Sequence, residues 1–446
     1  MIVTNTLKRL ADYFPVPLYV VGGAVRDYIL GYPNADCDLA SALTSQEVKE
    51  LLKDSEFRVA EASLKLGTLK IYYGNESYEY TVFRVDSYAD NGKHSPESVK
   101  FVKDVATDAT RRDFTINAIY YDIKSGEYID PTGGIEDLKR GIIRTTREPR
   151  KVLQEDALRI LRMIRISASY GYEIEKGTYD TAVSLIDSLK EIAYERIHDE
   201  FEKIIRADTV HGIKDGHVRG LKLLMETGAM RMLIPELYEC VGFPQRADFH
   251  KYDVFGHVEK VYEVAPPHLR LAALFHDAMK PRQKILTGRM AGHDKEGAIL
   301  ARKRMNVMRY SNKEIDRVSA LVEHHMYDFD CKASISKVRR FVQKHHLLLE
   351  DLCALKFADS IGAGVFTEPN PSAVRLLATY EEMRKEGVPF SVKELKIDGK
   401  FLIEAGVPNE MRGALMKELL ELTATDKNLL TRTAQEEFVK RRIAKI

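Results

Sequence analysis

The sequence predicts an α+β fold, a sheet-built head followed by helices, and three observations carry that reading. Short β-prone runs at 57–60, 69–73, 78–83 and 99–102 are separated by Gly67, Gly74-Asn75 and Asn91-Gly92. From Val152 onward apolar residues instead recur at helical spacing. Length agrees, since 446 residues leave room for about three domains. The expected division is a head at 1–150, a helical neck and body at 151–245, a second helical domain at 246–360 and a helical tail at 361–446.

Residues 18–40, LYVVGGAVRDYILGYPNADCDLA, read as an apolar strand, Gly22-Gly23, a short helix, a turn and a second strand carrying Asp36 and Asp38. Side chains two apart on a strand share a face, so the two carboxylates are expected together. Glycines let backbone N–H groups approach phosphate oxygens, and a helix N-terminus adds partial positive charge. Arg26 lies one turn into that helix, within reach of the same phosphates. Paired carboxylates beside such a turn suit Mg²⁺ carrying a nucleoside triphosphate. Taken singly, a Gly-Gly turn and a D-x-D edge are common features with no ligand.

A helix is expected at 45–53, capped by Thr44 or Ser45. Glu79 alternates with Tyr78 and Tyr80 on a strand, which fits an edge charge in water as well as a third carboxylate near the metal pair. The polar stretch 86–95 reads as a mobile loop.

Residues 152–170 place Leu153, Ala157, Ile160, Leu161, Ile164 and Ala168 on one buried helical face. Asp156 and Arg159, three apart, are expected as neighbours on another, where an ion pair is the plain reading. Arg162 and Arg165 continue in steps of three, each drifting about 60° around the helix, so Arg165 leaves the face of Asp156. A second amphipathic helix follows at 192–205.

His257, His276-Asp277, His293, His324-His325 and Asp359 then form an ordered series of metal-ligating types. Any one histidine is ordinarily a satisfied core or surface residue. As a set spread over several helices, they suit Mn²⁺, Ni²⁺, Fe or Mg²⁺ better than structural zinc, and their order allows two metals. Residues 367–372, TEPNPS, read as a linker. Basic clusters at 302–304, 339–340 and 440–442 are candidate phosphate contacts, although charge runs on helices are usually solvated faces.

A formal net charge of +1 excludes a global field drawing the chain onto nucleic acid. Four cysteines without CxxC spacing argue against a disulfide framework or zinc ribbon and for a reducing compartment. With no signal-peptide layout and no charge-free apolar run of about 18 residues, the expectation is a cytoplasmic protein without a membrane partner.

Three strings carry a family resemblance. GGAVRD with D-x-D ten residues after its arginine, RRDFTINA at 111–118 and EDALRILR at 155–162 resemble the class II tRNA nucleotidyltransferases and bacterial poly(A) polymerases, which are polymerase-β-like. The resemblance implies a polymerase-β-like head and catalysis by Asp36 and Asp38 on Mg²⁺, with Glu79 beside them. It further implies nucleotide contacts from Gly22, Gly23, Arg26, Arg112 and Asp113, and base reading by Asp156 and Arg159 with Arg162 and Arg165 nearby. The implied activity is addition of CCA to tRNA from CTP and ATP, with poly(A) synthesis or CC-only or A-only addition as rivals. ALFHDAMK and FADSIG resemble the HD phosphohydrolases. That likeness implies a second metal site at His257, His276, Asp277, His293, His324 and Asp359, holding a transition metal; in this family such domains are either active on phosphate-ended RNA or inert. Hydrolysis as the main activity is the remaining alternative, and oligomeric state is left open.

Overall fold

The computed structural model describes residues 3–33, 37–63, 66–87, 98–365 and 369–444. Asp36, most of the 86–95 loop, and Thr367 and Glu368 of the expected linker lie outside them. The chain forms two compact units, Met1–Pro235 and Glu236–Ile446.

In the first unit the strands are β1 (Tyr19–Val21), β2 (Asp38–Ser41), β3 (Arg58–Ser63), β4 (Thr68–Tyr73), β5 (Glu76–Val82), β6 (Arg84–Ser87), β7 (Ser98–Phe101), β8 (Tyr120–Asp122), β9 (Tyr128–Ile129), β10 (Ile142–Ile143) and β11 (Glu173–Ile174). Among the described residues seven of them form a mixed sheet in the order β3-β4-β5-β2-β1-β8-β9. The β2–β5 pair is parallel and every other pair in that sheet antiparallel. Alternation sorts the strands into two faces. Leu39, Leu69, Ile71, Tyr78, Tyr80 and Val82 are buried on one, while Asp38, Lys70 and Glu79 are exposed on the other. Val21, Ala40, Phe83, Ala109, Ala118 and Tyr120 make an apolar cluster that supports the Asp38 side.

The helix expected at 45–53 runs Ser45–Leu51, with Thr44 and Glu47 in a reciprocal capping box. The expected single helix at 152–170 is instead two, Pro149–Glu155 and Leu158–Tyr170. Asp156 stands in the break with φ −149° and ψ 102°, and its carboxylate accepts from the Leu158 N–H. Capping by a short carboxylate competes with continuing the helix here.

Helices build the second unit. Val254–Val264 and Leu349–Ala363 approach so closely that a Cβ on Gly362 would fall 2.5 Å from a Val261 methyl and 2.8 Å from its backbone nitrogen. Only glycine allows that approach, which brings His257 and Asp359 face to face. Arg270–Phe275, His293–Val307 and Asn312–His324 supply the remaining walls. A separate apolar cluster around Leu402, Leu419 and Val439 organises the C-terminal helices. Among the described residues no helix is long and apolar enough to cross a membrane.

Candidate nucleotide site and candidate metal centre

Strand register builds the first site. Asp38 on β2 is paired with Glu79 on β5, so the two residues stand side by side on one face of the sheet, on strands about 5 Å apart. Glu79 stands between Asp38 and its β4 partner Lys70. On the other side of Asp38 lies Val21 of β1, after which the chain turns at Gly22 with φ +79°. A Cβ there would meet Asp38 Oδ2 and Arg112 Nη1, each at 3.8 Å. Gly22, Asp38 and Arg112 therefore converge. The helix that follows, Gly23–Ile29, is only two turns long, so its end contributes modestly, about 0.3–1 kcal/mol, beside the guanidinium charge.

Arg112 is held for this position. Its Nε donates to the Tyr120 hydroxyl at 3.0 Å and its Nη2 to Asp108 Oδ2 at 3.3 Å, while Tyr120 donates to the same oxygen at 2.5 Å. Asp108 also accepts from Arg111 Nε at 2.7 Å and from the Arg84 backbone N–H at 3.0 Å. Burial opposes the Arg112 charge, but Tyr120, Asp108 and Asp38 outweigh it and hold the pKa above its ordinary value. Sequence reasoning missed Asp108. Its spacing, three and four residues before Arg111 and Arg112, was the available signal.

Asp113 accepts from the Phe114 N–H, Asn117 Nδ2 and Arg162 Nε at 2.8, 3.1 and 2.7 Å. Burial would raise its pKa, yet Arg162, Asn117 and Arg159 drive it well below the carboxylate range. Arg26 lies over the Tyr170 ring at 4.5 Å, bonds Asp27 and donates to Asn117 Oδ1 at 2.6 Å.

The Asp156 and Arg159 side chains take separate partners, contrary to the i,i+3 expectation, because Asp156 stands in the helix break; only the Arg159 backbone N–H reaches the Asp156 carbonyl, at 3.0 Å. Asp156 Oδ2 accepts from Arg196 Nη2 at 2.6 Å. Arg159 donates to the Val152 and Arg111 carbonyls, both at 2.8 Å, and to Glu155 at 3.1 Å. Arg165 pairs with buried Glu200 at 2.7 Å. Cys37, between the two expected metal ligands, has its thiol pushed up to about 12 by burial and by Asp38.

The candidate metal centre in the second unit comprises two triads, His257/His276/Asp359 and Asp277/His293/His325. Asp277 joins them. Its Oδ2 lies 3.2 Å from His257 Nε2 and 3.4 Å from His276 Nε2, and its Oδ1 lies 3.1 Å from His293 Nε2 and 3.8 Å from His325 Nε2. Asp359 Oδ1 is 2.9 Å from His257 Nε2. The Nδ1 atoms of His276, His293 and His325 lie 2.7–2.8 Å from carbonyls three residues earlier. Donation from Nδ1 turns each Nε2 lone pair inward, the arrangement a metal ligand needs. Burial alone would lower the His257 pKa; Asp277 and Asp359 reverse this and raise it to about 9. Clustered imidazole nitrogens and carboxylates at these separations fit two divalent cations sharing Asp277.

His324, expected as a ligand, is not in the cluster. Its ring packs against His345 and Phe341, at centroid distances of 4.4 and 5.4 Å, and His325 takes the place. Val318 and Val322 lie on the buried face of that helix, and His325 continues their spacing whereas His324 does not. Lys280 Nζ, paired with Asp277 and donating to Gln245 Oε1 at 2.9 Å, was also overlooked.

A head that aligns strand carboxylates with a glycine turn and an arginine has the chemistry to hold a nucleotide with its metal, and comparison with known families points the same way. Residues 18–144 match the poly A polymerase head domain, 171–240 the probable RNA and SrmB-binding site of polymerase A, and 251–364 the HD domain. The chain thus carries both domains that its motifs resemble, and both kinds are metal-dependent. More particularly, it is 40% identical over 188 residues to the CCA-adding enzyme of Leuconostoc mesenteroides, covering 42% of this chain and 45% of that protein. Identity to the CCA-adding enzyme of Anoxybacillus flavithermus is 37% over 235 residues, covering 53% and 55%. The chain therefore spans about half the length of the curated relatives it matches. In fold it resembles the Bacillus stearothermophilus CCA-adding enzyme in complex with CTP, with TM-score 0.64, 23% identity and coverage of 98% and 97%. The Thermotoga maritima CCA-adding enzyme complexed with tRNA gives TM-score 0.57 at 19% identity, covering 99% and 96%.

Proposed function

We propose that the protein adds C, C and A to the 3′ end of tRNA from CTP and ATP without a nucleic-acid template, releasing pyrophosphate, and that it works in the cytoplasm. The observation that carries this reading is the convergence of Asp38, its strand neighbour Glu79, the Gly22 turn and Arg112. Carboxylate oxygens are hard donors suited to Mg²⁺. Mg²⁺ held by Asp36 and Asp38 would lower the pKa of the primer 3′-hydroxyl and offset charge on the triphosphate. Arg112, braced by Asp108 and Tyr120, faces the phosphates, and Asp113 accepts from the ribose. Asp156 accepts from the exocyclic amine that cytosine and adenine share, while Arg159 donates to the ring edge. Because different partners hold Asp156 and Arg159, one can move without the other, as a change from CTP to ATP demands. We assign base choice to 151–245 and tRNA contact in part to the helices of 361–446.

The test supplies each labelled nucleotide singly with Mg²⁺. CMP should enter tRNA lacking CCA and AMP should enter tRNA ending in CC, with UTP and GTP refused. AMP polymerised directly onto the unfinished end would favour a poly(A) polymerase and overturn the reading.

A second activity is supported by the two adjacent triads, His257/His276/Asp359 and Asp277/His293/His325, with Asp277 Oδ2 beside the histidines of the first. We assign to them a metal-dependent phosphohydrolase acting on phosphate-ended RNA. Loss of phosphate release in His276→Ala, with nucleotide addition retained, supports the assignment. Wild-type protein inert on 2′,3′-cyclic and monophosphate ends with Mn²⁺, Ni²⁺ or Mg²⁺ retires it.

A further inference from the structure

One buried polar chain links parts of the first unit that sequence reasoning treated separately. The Tyr170 hydroxyl donates to Asp27; Arg26 Nε donates to the same Asp27 oxygen at 3.0 Å; Arg26 Nη1 donates to Asn117 Oδ1 at 2.6 Å. Asn117 Nδ2 then donates to Asp113 Oδ1 at 3.1 Å, and Arg162 Nε donates to Asp113 Oδ2 at 2.7 Å. Both ends lie on the helix Leu158–Tyr170, eight residues or about 12 Å apart. Arg26, Asp27, Asp113 and Asn117 are each under 9% exposed, and with Arg162 included the charges balance, Arg26 and Arg162 against Asp27 and Asp113.

We propose that Asn117 is a positioning residue that fixes the phosphate-side Arg26 at a set distance from the ribose-side Asp113 and registers both to the base-reading helix. A neutral amide can do this because it offers an acceptor to the guanidinium and a donor to the carboxylate at once. A carboxylate in its place would keep the first bond, lose the second and set two anions together. Asn117 touches no nucleotide in this account; it acts through Arg26 and Asp113. The Phe114 N–H and Arg162 also donate to the Asp113 carboxylate, whose two oxygens still offer a site for a ribose hydroxyl. The inference rests on the nucleotidyltransferase reading above.

The experiment is a double-mutant cycle on the full chain. Asn117→Ala and Tyr170→Phe break the chain at different links, and kcat and KM for CTP are measured with tRNA lacking CCA, beside thermal midpoints. Asn117→Ala should lower kcat/KM roughly tenfold to a hundredfold, mostly through KM, with the midpoint little changed. Tyr170→Phe should act in the same direction, and the double variant should be no worse than Asn117→Ala alone, because a broken chain cannot be broken again. Asn117→Asp, which preserves shape, gives a second reading if the alanine variant misfolds: it should show the same KM-dominated loss. Wild-type KM in either Asn117 variant, or losses that add and follow the thermal midpoints, overturns the proposal. Wild-type protein that incorporates no CMP overturns the nucleotidyltransferase reading instead.

Discussion

The two candidate centres solve the placement of charge in opposite ways. In the head, arginines and carboxylates are already paired, as in Asp108 with Arg111 and Arg112 and Asp113 with Arg162, while Asp38 and Glu79 stand exposed on the sheet. In the second unit four imidazoles and two carboxylates converge with their donor atoms inward. Under the reading proposed above, the first would take a charged ligand that arrives bearing its metal, and its hard oxygens suit Mg²⁺. The second has the donor set to hold metal, and under the same reading its nitrogen-rich character would favour transition ions. Strand register makes one; helix spacing and a glycine contact make the other.

The largest expected effect separates them. Asp38→Ala should cut nucleotide addition roughly a thousandfold while transition-metal content stays at the wild-type level. Steady-state incorporation and elemental analysis check both halves, and loss of both together would break the comparison. Next, His276→Ala and His325→Ala should each weaken metal retention by more than about a hundredfold, and His324→Ala should leave stoichiometry intact, as followed by metal titration. Metal loss in His324→Ala alone would invert the assignment of the adjacent histidines.

A smaller change is expected at Arg196→Ala, which removes the brace on Asp156. Discrimination between CTP and UTP should fall about tenfold, measured as the ratio of their kcat/KM values. Smallest is Glu386, whose hydrogen bond with Arg339, aided by Lys427, holds its pKa down to about 2 from 4.5. A depressed carboxyl stabilises the folded state above its unfolded pKa, and that contribution is lost as pH falls toward the folded one. Glu386→Gln should therefore be less stable by under about 1 kcal/mol at neutral pH. The gap should close between pH 4.5 and about 2 in acid-unfolding curves.

Much of this was legible because strand periodicity carries sign as well as position. Alternation around Asp38 and Glu79 was enough to put both on the open face, although their direct pairing needed the sheet order. The break at Asp156 was hidden by the apolar run Leu153, Ala157, Ile160, which is continuous across it. What the run cannot register is a carboxylate that caps the next turn. Two adjacent histidines look alike in sequence, yet the spacing from Val318 and Val322 distinguishes them. The polar chain through Asn117 joins residues 27, 113 and 170, and no local pattern announces contacts at such separations.

The most direct test of the central claim is to incubate tRNA lacking its last three nucleotides with all four triphosphates and Mg²⁺, then sequence the 3′ ends. The account predicts ends that finish in C-C-A and extend no further, with none formed by Asp38→Ala. An adenylate tail, a stop after C-C, or mixed-base ends would contradict it.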